Sequence, residues 1–236
     1  MTQLNAADLS TRELNSRLRD LVARDDAEIQ VENPGARHNL AVAMLKSGKI
    51  RFRGSVGYYC GGLSDGISIE IDGSAGWGLA ESMLGGTFRV HGNAGNGAAA
   101  AIRGGTVVIE GNAAARLGVS MKGGSVIVAG DCGYMAGFMG QKGVLVVCGN
   151  AGDAFADSLY ATECFVGGEI KSLGTDAVVS EVTDEEATRL ESLLAANLAP
   201  ELRALKPHAS RFRKVVAGRK LWNFDKREWK IWREAL

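Results

Sequence analysis

Proline is scarce, at 3 of 236 residues, and no Gly-X-Y period is present. Collagen-like and Pro/Gly low-complexity chains are thereby excluded. The four cysteines, Cys60, Cys132, Cys148 and Cys164, contain no CxxC pair. Their spacing suits buried free thiols better than a disulfide framework. Neither charge sign is in excess: with 27 basic and 27 acidic residues the formal net charge is zero. Apolar runs such as 144–148 reach about five residues, far short of the roughly 20 that span a bilayer. The opening residues carry no basic cluster followed by an apolar run, hence no secretory signal. A cytoplasmic protein without a membrane segment is expected.

Motifs that carry chemistry are missing as well. A dinucleotide fingerprint needs G-x-G-x-x-G between a strand and a helix. Here Gly73, Gly76, Gly78 and Gly92, Gly95, Gly97 run in the reverse order, G-x-x-G-x-G. Lys122 and Lys142 lack the glycine before and the Ser/Thr after that a P-loop requires. The histidines His38, His91 and His208 are scattered, giving no metal-ligand spacing. Cys60 has no sequence partner to activate it and reads as a packing thiol. Thr2 stands where an N-terminal-nucleophile amidotransferase needs cysteine. No catalytic, cofactor-binding or metal-binding residue is expected in this chain.

Glycine, by contrast, is abundant: 32 residues, roughly twice ordinary usage. Gly54, Gly73, Gly92, Gly111, Gly130, Gly149 and Gly168 recur every nineteen residues without insertion or deletion. Two positions before them lie Phe52, Ile71, Val90, Ile109, Val128, Val147 and Val166. Four positions before lie Ile50, Ile69, Phe88, Val107, Val126, Leu145 and Cys164. This alternation marks a strand with one buried face. The unit is too short for a propeller blade and has no helical period. The expected fold is mainly β: a single-stranded β-helix of about seven 19-residue coils, like residues stacking about 4.8 Å apart. The marker glycines are expected to be corners that need positive φ.

The outward positions change along the rod. Arg51, Glu70, Arg89 and Arg53, Asp72, His91, Glu110 are charged, whereas Val108, Ile127, Val146, Phe165, Ala129 and Cys148 are mostly apolar. Something must cover the later coils. Ser10 with Glu13 and Thr183 with Glu186 form capping-box patterns that start two helices. The first has Leu14, Leu18, Leu21 and Val22 on one face and suits an end cap. The second carries Leu190, Leu193, Leu194 and Leu198 and is the candidate cover. Three regions follow: 1–49, an N-terminal helix and lead-in segment; 50–177, the β-helix; 178–236, a C-terminal helix and tail. Residues 201–236 hold eleven Lys and Arg against four Asp and Glu. Arg219, Lys220, Trp222, Phe224, Trp229 and Trp232 have the composition of a protein-binding hot spot. Single-stranded nucleic acid is the less favoured ligand for such a tail.

The nineteen-residue coils with G-x-x-G-x-G corners resemble the GXGXG β-helix of the glutamate synthase large subunit's C-terminal domain, over about residues 30–177. Similar β-helices form the C subunit of formylmethanofuran dehydrogenase and of formyltransferase/hydrolase complexes. The blocks 56–60, 118–123, 138–141, 145–154 and 219–224 resemble most the stand-alone GXGXG subunit of N-methylglutamate synthase. That resemblance implies a non-catalytic subunit of a methylamine–glutamate N-methyltransferase complex. Its partners would be a glutaminase-like subunit and a synthase subunit binding FMN and an iron–sulfur cluster, in a hetero-oligomer.

Overall fold

The computed structural model describes residues 2–24 and 28–219. A stack of parallel strands forms its spine: β1 (Thr2–Asn5), β2 (Ile29–Glu32), β3 (Gly48–Arg53), β4 (Ile67–Ile71), β5 (Thr87–Val90), β6 (Thr106–Ile109), β7 (Lys122–Val128), β8 (Lys142–Val147) and β9 (Glu163–Val166). From β3 to β9 the register is the repeat itself, with Ile50, Ile69, Phe88, Val107, Val126, Leu145 and Cys164 paired in succession. A second parallel column, Val56, Ala75, Ala94, Ala113, Cys132, Ala151 and Ile170, closes each coil on its other wall. Apolar side chains from both walls meet in one buried core. The β-helix of about seven coils is therefore observed. The stack also extends ahead of the periodic segment through β1 and β2.

The marker glycines do not serve the purpose expected of them. Only Gly54 has positive φ, at 139°; Gly73, Gly92, Gly111, Gly130, Gly149 and Gly168 do not. The constraint on these six is close approach between coils. A methyl group at Gly111 would stand 2.7 Å from the Gly92 carbonyl oxygen, and one at Gly149 the same distance from the Gly130 carbonyl oxygen. Positive φ falls instead on a glycine just before β4, β5 and β6, at Gly66, Gly86 and Gly105, and inside the first three residues of β7 and β8, at Gly124 and Gly143. It falls also on alternate residues of the small-residue segment, such as Tyr59, Gly61 and Leu63, and again Gly78, Ala80 and Ser82. Left-handed backbone costs a non-glycine residue roughly 1–2 kcal/mol. The coil-to-coil hydrogen bonds hold it in place: the Tyr59 N–H donates to Trp77 O at 2.7 Å and the Ser82 N–H to Ala100 O at 2.8 Å.

The first six marker glycines are each followed by a polar residue whose side chain completes the stack. Ser55 Oγ accepts from the Ser74 N–H, Ser74 Oγ from Asn93, Asn93 Oδ1 from Asn112, Asn112 Oδ1 from Asp131, Asp131 Oδ1 from Asn150 and Asn150 Oδ1 from Glu169. The distances run from 2.6 to 3.0 Å. A turn amide that strand pairing leaves without a partner is thereby satisfied in every coil.

Both ends of the rod are covered. Helix α1 (Thr11–Ala23) starts at the Ser10–Glu13 capping box and buries Leu14, Leu18 and Val22 in the core. Asn15 takes the place of a preceding coil: its Nδ2 donates to Asn39 O at 2.7 Å and its Oδ1 accepts from the Ala41 N–H at 2.8 Å. At the far end the chain passes through β10 (Ala177–Ser180), α2 (Asp184–Asn197) and α3 (Pro200–Ala204), and returns as β11 (Arg213–Ala217). β11 inserts antiparallel between β9 and β10, so the parallel ladder ends on a reversed strand and the sheet's last edge is the short, exposed β10. Helix α2 begins at the Thr183–Glu186 capping box. It lays Leu190, Leu194 and Leu198 on Val108, Ile127, Ala129, Val146, Cys148 and Phe165. This is the cover that the apolar outer positions demanded, joined by Ala209 and Phe212.

Candidate functional site

Three features of the rod bear on function: the glycine turns, the charged part of the strand face, and a groove along the small-residue segments. The glycine turns are already occupied. The Gly73 N–H donates to Gly54 O, that of Gly76 to Val56 O and that of Gly78 to Asn96 O. Amides committed to neighbouring coils have none left to cradle a phosphate. All four cysteines are buried as free thiols. Burial pushes Cys60 up to about 12, so at neutral pH it packs as a thiol and offers no nucleophile.

On the strand face the charged positions of successive coils meet. Arg51 bonds Asp72 at 2.9 Å and lies 3.5 Å from Glu70; Arg53 reaches Asp72 at 2.8 Å; Arg89 reaches Glu110 at 2.8 Å. His91 sits at the centre, with Nε2 at 2.7 Å from Glu70 and Nδ1 at 2.7 Å from Glu110. Burial by itself would lower the His91 pKa, but the two carboxylate hydrogen bonds outweigh it and raise the pKa above its ordinary value. Burial raises Glu110, and the His91 and Arg89 contacts more than reverse that, holding it below the usual carboxylate range. With a carboxylate on each ring nitrogen, the arrangement calls for an imidazolium donating both ways. Glu70, Asp72 and His91 place ligand atoms within 4.8 Å of one another, yet Arg51 and Arg53 already neutralise Asp72. Arg89 continues the network to the helix cover, donating to Asn197 O at 2.8 Å. The scattered histidines of the sequence are thus not isolated: His91 joins two coils, and His38 stacks on Tyr58 with ring centroids 4.3 Å apart. Coil stacking makes residues nineteen and twenty-one apart into neighbours, and that spacing is the signal that would have found this network.

The groove, of about 530 Å³, lies along the small-residue segments and is lined by Tyr59, Trp77, Glu81, Asn96, Arg116 and Tyr134 among others. Its floor is open because Gly97 carries no side chain and has nothing within 4 Å of where one would begin. Tyr59, Trp77 and Tyr134 are 48%, 51% and 49% exposed, an unusual accumulation of half-bare aromatics on one wall. The Glu81 carboxylate and the edge of the Tyr59 ring converge over Gly78, where a methyl group would lie 3.1 Å from Glu81 Oε2 and 2.6 Å from Tyr59 Cδ1. Of the six tail residues singled out in the sequence, Arg219 is placed just beyond β11, with left-handed backbone at φ 58°. Lys220, Trp222, Phe224, Trp229 and Trp232 lie outside the described residues.

The GXGXG motif family matches residues 36–234, which takes in the coils, the helical cover and most of the tail. The chain belongs to the GXGXG family. Within it, Protein GlxC of Rhizobium meliloti (strain 1021) is 48% identical over 226 residues, covering 95% of this chain and 97% of GlxC. Among solved structures, a chain of the formyltransferase/hydrolase complex (FhcABCD) from Methylorubrum extorquens, determined with methylofuran, superposes with a TM-score of 0.61 at 26% identity. That match covers 75% of this chain and 69% of the other. Membership of the GXGXG family thus rests on sequence along nearly the whole chain, and the solenoid supplies its physical basis. Among the described residues, no helix is long and apolar enough to cross a membrane.

Proposed function

We propose that this GXGXG protein is a non-catalytic scaffold subunit of a glutamate synthase-like complex, of the N-methylglutamate synthase branch. In that reading it joins a glutaminase-like subunit to a synthase subunit carrying FMN and an iron–sulfur cluster, in a cytoplasmic hetero-oligomer that transfers an amine from methylamine to glutamate. The observation that carries the scaffold role is the commitment of the rod's polar groups to its own stacking. Turn amides, the Ser/Asn/Asp column and the strand-face charges are paired from coil to coil, which makes a stiff body of fixed length. The blocks at 56–60, 118–123, 138–141, 145–154 and 219–224 support the N-methylglutamate branch. Arg219, Lys220, Trp222, Phe224, Trp229 and Trp232 would carry the partner contact.

A mass-spectrometric census of chains that co-purify with the tagged protein tests this. The expected result is a glutaminase-like chain and a flavoprotein, with flavin leaving alongside the partner when the complex is dissociated. Flavin retained by this subunit alone, or turnover without partners, would overturn it. Trp222→Ala or Trp232→Ala should shift the complex toward free subunits on size exclusion while the circular dichroism of the isolated chain stays unchanged; an intact complex would dismiss the tail as the contact. A second reading, the C subunit of a formyltransferase/hydrolase complex, is favoured by the likeness to the Methylorubrum extorquens structure. It expects an amidohydrolase-type partner and no flavoprotein in the same census. Nucleic-acid binding through the tail would show as a steep salt dependence of affinity.

A further inference from the structure

The groove interrupts a column of aromatic side chains. The Tyr59 N–H donates to Trp77 O, that of Gly78 to Asn96 O, that of Gly97 to Ala115 O and that of Arg116 to Tyr134 O, at 2.7 to 2.9 Å. These bonds stack Tyr58, Trp77, Asn96, Ala115 and Tyr134 one coil apart. Trp77 is half-exposed and stacks on Tyr58, with ring centroids 5.2 Å apart and planes at 17°. Asn96 and Ala115 are too short to continue the stack, and the space over them belongs to the groove. The charges of the groove follow the same geometry. The Glu81 carboxylate lies over Gly78, in the coil of Trp77. Arg116 follows Ala115, two coils further on. Neither has an ion pair or a side-chain hydrogen bond among the described residues, and no other charged residue lines the groove there.

This pattern is complementary to itself. Consider a two-fold axis that crosses the rod at right angles, level with Asn96 and lying in the plane of the wall. The coil one step before the axis then faces the coil one step after it in a second copy. Trp77 meets the recess over Ala115 of that copy, a large ring against a small residue. Arg116 meets Gly78 of the second copy, over which the Glu81 carboxylate lies, so the unpaired arginine and the unpaired carboxylate come together twice by symmetry. Gly97 and Ala100, level with the axis, face their own equivalents, and their small size lets the two walls approach. Matching of large to small and of positive to negative about one axis is what an isologous contact requires. Trp77 is already held by Tyr58, so burying it against a partner costs little ordering entropy. Five coils at roughly 4.8 Å give a face about 24 Å long, which suits the small, reversible class of interface.

We infer that this wall is an interface between two copies of the chain. The rods pack antiparallel across the groove, each lodging Trp77 over Ala115 of the other and pairing Arg116 with Glu81 of the other. The inference goes beyond the scaffold reading and does not rest on it. Taken with that reading, it sets two groups of partner subunits about one two-fold axis.

Sedimentation equilibrium of the full-length chain, without partner subunits and over a range of concentrations, tests this. A monomer–dimer equilibrium is expected. Arg116 is exposed, and Arg116→Glu sets like charges against each other at both pairs. It should raise the dimer dissociation constant at least about tenfold. Glu81→Arg combined with Arg116→Glu restores opposite charges and should bring the constant back to within about threefold of wild type. Circular dichroism of the variants checks that the coils remain. A second readout needs no charged residue. With the four native cysteines buried, a short bismaleimide should join two copies of Ala100→Cys, and should not join Ser192→Cys, on the exposed face of α2. A monomer at every concentration overturns the inference and leaves the groove to a small molecule or a segment of another protein. A dimer indifferent to Arg116→Glu, a double variant that keeps its circular dichroism yet stays weak, or cross-linking at residue 192 and not at 100 overturns it as well. No partner subunit takes part, so failure here leaves the subunit census standing, and the reverse holds too.

Discussion

Replacing one marker glycine and one groove glycine by alanine separates the two physical reasons for glycine in this rod. At Gly111 the added methyl would collide with the Asn93 side-chain oxygen and stand 2.7 Å from the Gly92 carbonyl oxygen. Neither can withdraw freely: the Gly92 carbonyl accepts from the Gly111 N–H at 3.0 Å, and Asn93 Oδ1 accepts from the Asn112 N–H at 2.8 Å. Overpacking typically costs about 1–3 kcal/mol, and the two strained hydrogen bonds are worth about 1 kcal/mol each. Gly111→Ala should therefore destabilise by about 3–5 kcal/mol. At Gly97 the φ of +68° is left-handed, but nothing lies within 4 Å of the new methyl. The left-handed penalty of roughly 1–2 kcal/mol is offset in part by the stiffer unfolded chain, leaving about 1 kcal/mol. Urea denaturation of both variants, followed by circular dichroism, measures the difference. If Gly97→Ala proves as damaging as Gly111→Ala, then positive φ and not coil contact is what the rod requires of its glycines, and the account above is wrong.

Two further outcomes follow from the strand face and its cover. The His91 pKa is raised, so its stabilising contribution is complete below the ordinary histidine value and is lost as pH rises through the folded one; Glu110 is lowered, so its contribution is complete above the ordinary carboxylate value and is lost as pH falls through the folded one. Wild-type stability relative to His91→Gln should accordingly be greatest between about pH 4.5 and 6.5 and shrink above it, and a difference that grows toward pH 8 would rule out the imidazolium bridge. Leu194, 1% exposed in the outer cluster, should cost about 2–5 kcal/mol of local stability on substitution by alanine. Hydrogen exchange should then speed up in α2 while the inner strands β4 to β7 stay protected; equal loss in both would show that the two clusters are one cooperative unit.

The coils were legible because a stacked solenoid writes its register into the chain. Each residue meets its equivalent in the next coil, so a nineteen-residue spacing in sequence is a lateral contact in space. The same logic exposed the apolar outer positions and the two capping boxes, and the cover by α2 follows from them. Other features carried the same spacing and went unread. Ser55, Ser74, Asn93, Asn112, Asp131 and Asn150 sit one place after the first six marker glycines, and their polar side chains in a tight turn signal a hydrogen-bonded column. His91 looked solitary because Glu70 and Glu110 come beside it only by stacking. The assignment of positive φ to the marker glycines failed for a different reason: absence of Cβ is needed both by a left-handed residue and by one pressed against a neighbouring chain, and composition does not distinguish them.

Sequence alone therefore determined the repeat length, the strand register, the inward and outward faces, and the helix starts, since all of these depend on interactions between residues at fixed separations. The groove, the charge network centred on His91, the reversal through β11 and the role of each glycine were decided only by the tertiary structure. They depend on how far apart successive coils lie and on which wall the chain ends up facing, and those distances exist only once the whole stack has closed.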